Sequence, residues 1–263
     1  MYEKNRRPAR PAAAVPAEET EGQLEGRNAL QEALRSGRTV DKVFIAAGEI
    51  DRGLQRLAAE AKEAGAVVVP VDRRKLDAMS FTHAHQGVIA LAAAHVYYSI
   101  DDILEEAASR GEAPLIVICD ELSDPHNLGA ILRSAECAGA HGVIIPKRRS
   151  VGLTATVAKA SAGAVEYMKV ARVTNISAAI AELKQKGVWV FGTAAEGSIP
   201  MYQADLSGPA AIVIGSEGDG MSQLVRKNCD VMVNIPMKGR ISSLNASAAA
   251  SILLYEALRQ RLG

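Results

Sequence analysis

The sequence predicts an α/β protein built from two units, and three observations lead to this prediction. Short runs rich in Val and Ile alternate with stretches whose apolar residues recur at helical spacing. Runs of this kind flanked by helices imply a mostly parallel sheet covered on both faces. Pro114 opens a second series of such runs after a polar stretch, which divides the chain into a small unit and a larger one.

Composition sets the broad class. The 263 residues are enough for two modest domains, and the 48% apolar content indicates a sizeable core. Lys plus Arg equals Asp plus Glu at 30 each, so an interaction with nucleic acid has to be argued from local clusters. Cys119, Cys137 and Cys229 are widely separated, and no apolar run is long enough to span a membrane. We expect a reduced, cytoplasmic protein with no metal site and no membrane contact.

Residues 1–22 are expected to form a disordered tail. Three prolines, an alanine run and Arg6, Arg7 and Arg10 stand there without hydrophobic periodicity. The tail is either an arm that touches RNA or a solvated leader, and the frequency of solvated tails at termini favours the second interpretation.

The small unit is expected over residues 23–95 and a linker over residues 96–113. The pattern predicts, in order, a helix at 30–34 ending at Gly37, a strand at 43–46, a helix at 54–64, a strand at 67–71, a helix at 72–79 and an apolar run at 88–93. Asp72 is expected to cap the last of these helices. The linker is predicted to contain a polar helix over residues 101–110.

The larger unit is expected over residues 114–263. Strands are predicted at 115–119, 142–145, 167–170, 188–192, 212–214 and 231–235. Helices are predicted at 128–138, 154–162, 176–186, 221–227 and 244–261. In parallel sheets, ligands bind beyond the carboxyl ends of the strands. Three loops at such strand ends are therefore the candidates for a site.

The first loop runs from Asp120 to Arg133, after the strand that ends at Cys119. Leu128, Ile131 and Leu132 fall on one helical stripe, and Arg133 lies off it. Asn127 is either a helix cap or a functional residue. The loop lacks the glycine fingerprint of dinucleotide-binding folds, which argues against a nicotinamide oxidoreductase.

The second loop, Gly215 to Ser222, follows the predicted strand at 212–214. Its three glycines permit a tight turn or close approach to a ligand. Glu217 and Asp219 would repel a phosphate, and the absence of a GKS or GKT string excludes a P-loop NTPase. Carboxylates here suit a neutral or cationic ligand, whereas the alternative role of Glu217 is to accept backbone N–H groups inside the turn.

The third loop, Pro236 to Ser247, opens the last helix. Ser242, Ser243 and Asn245 are residues of the kind that cap helices, and small side chains follow them. A well-capped, tightly packed helix explains this pattern without any functional role. Ser243 therefore stays open between a cap and a site residue.

Together, the three loops resemble the signature motifs of the SpoU (TrmH) family of RNA ribose 2'-O-methyltransferases. The string Ser243-Leu244-Asn245-Ala246-Ser247 is the most specific, and the motifs occur in the family's order over residues 115–263. The segment from Gly26 to Leu34 resembles the ribosomal protein L30e-like RNA-binding domain of two-domain members. The resemblance implies a SPOUT-type parallel sheet with a deep trefoil knot, preceded by a small L30e-like domain, and a homodimer.

The resemblance also implies the site residues. S-adenosylmethionine would be the cofactor, and the residues expected to bind it are Thr193, Ala194, Gly215, Ile235, Pro236, Met237, Ser243 and Leu244. Arg133 matches the family's catalytic arginine, and the residues expected to position it, the ribose or the knot are Asn127, Glu217, Ser243 and Asn245. Because a free guanidinium keeps its proton up to a pKa above about 12, we expect Arg133 mainly to stabilise the developing alkoxide and a nearby phosphate.

Structured RNA is the expected partner. The RNA contacts are expected at Arg27, at Arg133 and at the basic cluster of Lys147, Arg148 and Arg149. Only 4% of the residues are aromatic, so recognition by shape and backbone is favoured over base stacking. The resemblance implies methylation of a guanosine ribose in 23S ribosomal RNA. A transfer RNA methyltransferase and a non-catalytic RNA-binding relative are the alternatives.

Overall fold

The computed structural model describes residues 22–48, 51–194, 198–216, 218 and 220–263. The first domain contains strands β1 (Gln23–Glu25), β2 (Val40–Ala46), β3 (Val67–Val71) and β4 (Val88–Ala92), and helices α1 (Arg27–Arg35), α2 (Arg52–Glu63) and α3 (Arg73–Met79). The strands form one sheet in the order β1-β4-β2-β3. The tail predicted for residues 1–22 lies outside the described residues except for Gly22.

Helix caps set the boundaries of the first domain's helices. Asp51 accepts a hydrogen bond from the N–H of Leu54 at the start of α2, and Asp72 accepts one from the N–H of Arg74 at the start of α3. The cap at Asp72 confirms the sequence prediction. The strand β1 was not predicted, because three half-buried residues carry no periodic signal.

The linker contains α4 (Ile100–Arg110), which packs as part of the second domain. Ser99 and Asp102 form a capping box at its start, and Gly111 ends it in the left-handed conformation. Ile100 and Ile103 are buried with residues of the large sheet. The sequence predicted a polar helix here. In the structure, its apolar residues pack against the core of the second domain.

The second domain is a seven-stranded sheet with helices on both faces. Its elements are β5 (Leu115–Cys119), α5 (Pro125–Cys137), β6 (Gly142–Pro146), α6 (Ala155–Ala160), β7 (Lys169–Val173), α7 (Ile176–Gln185), β8 (Trp189–Thr193), β9 (Ile199–Pro200), β10 (Ala210–Ile214), α8 (Gln223–Asn228), β11 (Val231–Asn234) and α9 (Ala246–Leu262). The strand order is β7-β6-β5-β10-β8-β11-β9, and neighbouring strands are parallel. This confirms the predicted parallel α/β sheet.

Alternate residues of each buried strand face two separate cores. Leu115 and Val117 of β5 pack with α5, α6 and α9, whereas Ile116 and Ile118 pack with α4, α7 and α8. Both faces are covered, which explains why the strands are continuous apolar runs. The helices α5 and α9 therefore lie side by side on one face.

Several boundaries differ from the prediction. The strand predicted at 167–170 begins at Lys169, because Ala164–Glu166 form a 3-10 turn before it. The helix α5 begins at Pro125, which has the fixed φ that suits a first helical position. The two-residue strand β9 was not predicted. The trefoil knot stays a prediction.

Neither a membrane span nor a metal cluster is found in the part of the chain that the structure describes. No helix there is long and apolar enough to cross a membrane. No group of three or more His, Cys, Asp or Glu side chains in the same part is placed to hold a metal ion.

Candidate active site

A cleft lies at the carboxyl ends of β8 and β11, where α9 begins. Its lining residues are Thr193, Ala194, Val233, Asn234, Ile235, Met237, Ser242, Ser243, Leu244, Ala249 and Leu253. Six of the eight residues predicted to bind the cofactor are among them. The cleft therefore forms where the strand-end rule for parallel sheets places a ligand.

The segment 237–244, on one side of the cleft, has free backbone groups. All eight of its residues are exposed. Within the described ranges, none of its backbone N–H or C=O groups takes part in a backbone hydrogen bond. Pro236, which lacks an N–H, follows the end of β11 and cannot extend the ladder. These free groups are available to bind a ligand.

The cleft fits the neutral adenosine part of S-adenosylmethionine. None of the described residues that line it is charged, and most contribute apolar side chains. Of its polar side chains, Thr193 Oγ1 already donates to the carbonyl of Val213, and Asn234 Nδ2 donates to Ser198 Oγ. Binding by backbone groups and apolar contact is thus the chemistry that the cleft offers.

Gly215 and Pro236 were predicted to bind the cofactor and do not line the cleft. Gly215 directly follows β10, and a Cβ atom there would lie 2.4 Å from the carbonyl carbon of Gly220 and from the amide nitrogen of Met221. The N–H groups of Ser216 and Gly220 each bond to the other residue's carbonyl. The glycine at position 215 is therefore required for the tight turn itself. Glu217 lies outside the described residues.

Asn127 and Asn245 are brought together from two helices. Asn127, in the first turn of α5, is 7% exposed, and its Oδ1 accepts a hydrogen bond of 2.9 Å from Asn245 Nδ2. The other side-chain atom of Asn245, Oδ1, accepts from the N–H of Ser247 at 3.0 Å and caps α9. One side chain thus both starts α9 and ties it to α5, next to Leu244 and Ser243 of the cleft. The helix α5 is capped by Asp124, so the cap interpretation of Asn127 is wrong, whereas Asn245 is the cap of α9; a site role for either asparagine stays a prediction.

Arg133 does not line the cleft. It lies on α5 with an exposed side chain, and among the described residues it makes no hydrogen bond or ion pair. Its neighbour Ser134 bonds to Ser251 of α9 at 2.7 Å between the two hydroxyl oxygens. The guanidinium therefore projects from the α5–α9 pair, with its five donors available to an anion.

Asp120 holds the glycine-rich loop in place, and the sequence argument did not single it out. It follows β5 directly, is 4% exposed, and its Oδ2 accepts from the N–H of Ser222 at 2.8 Å. This bond holds the end of the glycine-rich loop against the neighbouring strand end. An acidic residue directly after a buried strand is the signal that could have identified it.

The thiols of the buried Cys119 and the half-buried Cys229 are not nucleophiles. Burial raises the pKa of Cys119 to about 12, and burial together with Asp230 raises the pKa of Cys229 to about 11. Both groups are protonated at neutral pH, and a thiol is far less nucleophilic than a thiolate. Methyl transfer through these two cysteines is therefore not supported.

The predicted RNA contacts lie in different parts of the molecule. Arg27 is paired with Asp51 at 2.6 Å in the first domain. Lys147, Arg148 and Arg149 follow β6, and Arg149 is paired with Glu121 at 3.0 Å. Arg148 is exposed and, within the described residues, makes no ion pair. The charges of Arg27 and Arg149 are thus already partly satisfied.

Comparison with known proteins agrees with this architecture. The model of the SpoU rRNA methylase family matches residues 114–255. A second model, RNA 2'-O ribose methyltransferase substrate binding, matches residues 23–98. The two matches coincide with the large and the small sheet.

Relatives match over most of their length. A chain assigned to the TrmH family of tRNA/rRNA methyltransferases, YacO of Bacillus subtilis, is 48% identical over 236 residues, which cover 90% of this chain and 94% of the relative. The 23S rRNA (guanosine-2'-O-)-methyltransferase RlmB of Ralstonia nicotianae is 44% identical over 240 residues, covering 90% and 95%.

Solved structures have the same fold. The SpoU methyltransferase AviRb of Streptomyces viridochromogenes, in complex with AdoMet, superposes with a TM-score of 0.59 at 26% identity and covers 92% of each chain. An AdoMet-bound rRNA methyltransferase from Sinorhizobium meliloti gives 0.57 at 26% identity, covering 92% of this chain and 88% of its own. This chain therefore belongs to the SpoU family of S-adenosylmethionine-dependent RNA methyltransferases.

Proposed function

We propose that this chain methylates the ribose 2'-hydroxyl of a guanosine in 23S ribosomal RNA. The observation that carries the choice of substrate is the 44% identity, over nearly the whole of both chains, with the Ralstonia 23S rRNA guanosine enzyme. The small domain, which matches a model described as substrate binding, would hold the RNA. A ribosomal substrate also agrees with the expected cytoplasmic location.

The uncharged cleft is proposed to hold the cofactor. S-adenosylmethionine supplies an electrophilic methyl group on a sulfonium. Apolar side chains, among them Ile235 and Leu253, would enclose the adenine, and the free backbone groups of residues 237–244 would bond to its edges. The cavity volume of about 170 Å³ is below the roughly 300–1,000 Å³ of pockets that bury small ligands. The bound molecule would therefore extend out of the cleft along the exposed loop.

The chain's own groups would position the ribose and stabilise charge. In the transfer, the 2'-oxygen would form a bond to the methyl carbon while the bond from that carbon to the sulfonium sulfur breaks, leaving a neutral thioether, and the hydroxyl proton would pass to solvent. Arg133 is proposed to stabilise the negative charge that develops on this oxygen and to hold an adjacent phosphate. Its exposed, unpaired state among the described residues leaves its donors available for this. Alignment of the ribose supplies much of the remaining rate.

Asn127 and Asn245 are proposed to act as positioning residues. Their 2.9 Å bond fixes the start of α9, and with it Leu244 and Ser243, relative to α5, which carries Arg133. The hydroxyl of Ser243 makes no hydrogen bond with the described residues, so it is available to the cofactor or the ribose. Glu217 is proposed, from the family motif alone, to complete this set.

A homodimer is proposed as the working form. Large apolar side chains are exposed around the cleft and along α9: Met237, Ile241, Leu244, Tyr255 and Leu262. Ile241 is 72% exposed and Leu262 79%. Exposed groups of this size on neighbouring elements are typical of surfaces that a partner covers. A second copy of the chain would cover them.

Transfer of labelled methyl from S-adenosylmethionine tests the proposal. Purified 23S RNA without its modification, and unmodified transfer RNA, are incubated with wild type and with Arg133→Ala. Resistance of one phosphodiester bond to alkali locates a 2'-O-methyl group. We expect one resistant guanosine step in 23S RNA that is absent with the variant.

The remaining outcomes decide between the alternatives. Label in transfer RNA alone would replace the proposed substrate by transfer RNA. Tight cofactor binding, with label in neither purified RNA nor in ribosomal precursor particles, would identify a non-catalytic RNA-binding relative. Either result contradicts the 23S proposal, and the second also contradicts the role given to Arg133.

A further inference from the structure

A second cleft lies where the two domains meet. Arg38 and His95 line it from the small domain, and Ala158 and Lys159 line it from α6. Its cavity volume is about 470 Å³. It does not share a lining residue with the cofactor cleft. This interdomain cleft is a separate feature of the molecule.

The interdomain cleft is positively charged. Arg38 and Lys159 are exposed, and within the described ranges neither makes an ion pair. His95 Nδ1 lies 3.5 Å from a carboxylate oxygen of Glu166, whose side chain is 64% exposed. Arg38 and Lys159, two cations from different domains, thus face one opening. Among the described residues, the carboxylate of Glu166 contacts only His95 there. Such an arrangement attracts an anion that touches both domains.

Hydrogen bonds between the domains fix the shape of the interdomain cleft. The N–H of Ala94, a residue that lines the cleft, donates to the carbonyl of Leu153 at 2.8 Å. The N–H of Leu153 in turn donates to Tyr97 Oη at 2.8 Å, and the N–H of Tyr98 donates to Val170. Because these bonds hold the two domains in one arrangement, binding requires little reorganisation, which favours affinity.

The helix that lines the interdomain cleft, α6, packs against α5, which carries Arg133. The helices α5 and α6 are in tight contact, since a Cβ atom at Gly129 would lie 2.4 Å from the Cβ of Ala160. Lys159 is the residue before Ala160. Arg133 follows Gly129 by four residues and therefore lies on the same face of α5, one turn further along. Lys159 and Arg133 thus lie on two helices of the second domain that are in direct contact.

We propose that the interdomain cleft binds the ribose–phosphate backbone of the RNA substrate between the small domain and Arg133. This inference rests on the proposed function, because it takes RNA as the substrate. Arg38 and Lys159 would each contact a phosphate. Contacts of this kind set register and affinity and carry no sequence information. The cleft would therefore fix how far the methylated ribose lies from the part of the RNA held by the small domain.

Equilibrium binding of a 23S RNA fragment, measured without cofactor, tests the inference. The variants are Arg38→Gln, Lys159→Gln and both together, and the control is Lys227→Gln. Lys227 is an exposed lysine of α8, which packs on the opposite face of the large sheet. We expect each cleft variant to weaken binding on the order of tenfold at low salt. The slope of log affinity against log salt should fall by about 1 for each residue and by about 2 for the pair.

Glu166→Gln separates this effect from damage to the fold. Removing the carboxylate beside His95 should tighten RNA binding and steepen the salt dependence, an outcome that misfolding does not produce. Unchanged slopes in Arg38→Gln and Lys159→Gln, or a uniform loss that Lys227→Gln shares, would overturn the inference. Binding is measured apart from methylation, so a failure of the 23S reaction with intact slopes contradicts only the proposed function.

Discussion

Asp41 of β2 and Arg172 of β7 form an ion pair that joins the two domains. Arg172 Nη1 lies 2.6 Å from Asp41 Oδ1, and the two side chains are only 7% and 8% exposed. Tyr97, in the linker, donates its phenolic hydrogen to Asp41 Oδ2 at 3.0 Å. Burial, followed by the Asp41 carboxylate, raises the pKa of Tyr97, which keeps this hydroxyl a donor. The junction is thus a buried polar network, which fixes one orientation of the domains.

A double-mutant cycle at this pair should show strong coupling. Removing one partner leaves a buried charge without its counterion, so Asp41→Ala and Arg172→Ala should each lower the free energy of unfolding by about 3–5 kcal/mol. Because the second removal then relieves that penalty, the double variant should lose clearly less than the sum. Urea unfolding followed by fluorescence measures the four proteins. Losses that add to within about 0.5 kcal/mol would show that the pair is not coupled.

Asn245 should have separable effects on stability and on activity. Ser is as good a cap as Asn but is too short to reach Asn127, whereas Ala is no cap. Both variants lose the bond to Asn127 and only Asn245→Ala also loses the cap, so Asn245→Ala should be about 1 kcal/mol less stable than Asn245→Ser. Both should transfer methyl groups at least about tenfold more slowly, because the link to α5 is gone. Thermal unfolding and the labelled-methyl assay check this; wild-type activity in Asn245→Ser would contradict the positioning role.

Gly129→Ala should destabilise the protein although alanine is the better helix former. A new Cβ atom would lie 2.4 Å from Ala160 Cβ and 2.9 Å from its carbonyl carbon, so α6 would have to move. Overpacking of this kind costs about 1–3 kcal/mol. Gly208→Ala is the matched control, since a Cβ atom there meets nothing within 4 Å. Urea unfolding should separate the two variants by at least about 1 kcal/mol; equal stability would contradict the tight α5–α6 contact.

The regular elements could largely be predicted, because their signals are local. The strand β3 has the predicted bounds, 67–71, and α3 has the predicted cap at Asp72. The strands β1 and β9 could not be predicted, because two or three residues show no periodicity and are paired only through a distant strand. The elements that could not be predicted are thus the short strands that form only by pairing with a strand distant in the sequence.

The sequence was sufficient to predict which loops form the candidate site, but not which side chains in those loops contact one another. The loops were placed at strand ends, and the rule for parallel sheets was sufficient to bring residues such as Thr193 and Leu244 to one cleft. The bond between Asn127 and Asn245 joins residues 118 positions apart and depends on how α5 packs on α9. The same holds for Asp120 and Ser222, which are 102 positions apart. No local pattern contains such pairs.

The ionised side chain of Glu25 should stabilise the folded protein, and this contribution should be lost in acid. Burial raises its pKa, but hydrogen bonds from Thr82, Phe81, Ser80 and Gln23 outweigh this and lower it from 4.5 to about 2. A carboxylate with a lowered folded-state pKa stabilises the protein above its unfolded pKa, and the contribution is lost as the pH falls from about 4.5 to 2. Glu25→Gln should therefore cost about 1–2 kcal/mol at pH 7, allowing for solvent screening, and much less at pH 3. A difference in urea unfolding that is independent of pH would contradict this.

Arg133 should tolerate lysine in part and alanine not at all. If its main role is to stabilise charge on the 2'-oxygen and hold a phosphate, a lysine ammonium keeps the charge and loses the planar fork of donors. We expect Arg133→Lys to retain roughly a tenth to a hundredth of the rate, and Arg133→Ala to lose about a thousandfold or more. Because the side chain is exposed, neither change should alter the unfolding temperature. Single-turnover methyl transfer at saturating RNA measures the chemical step. Equal loss in both variants would show that the bidentate geometry of the guanidinium, and not its charge, carries the reaction.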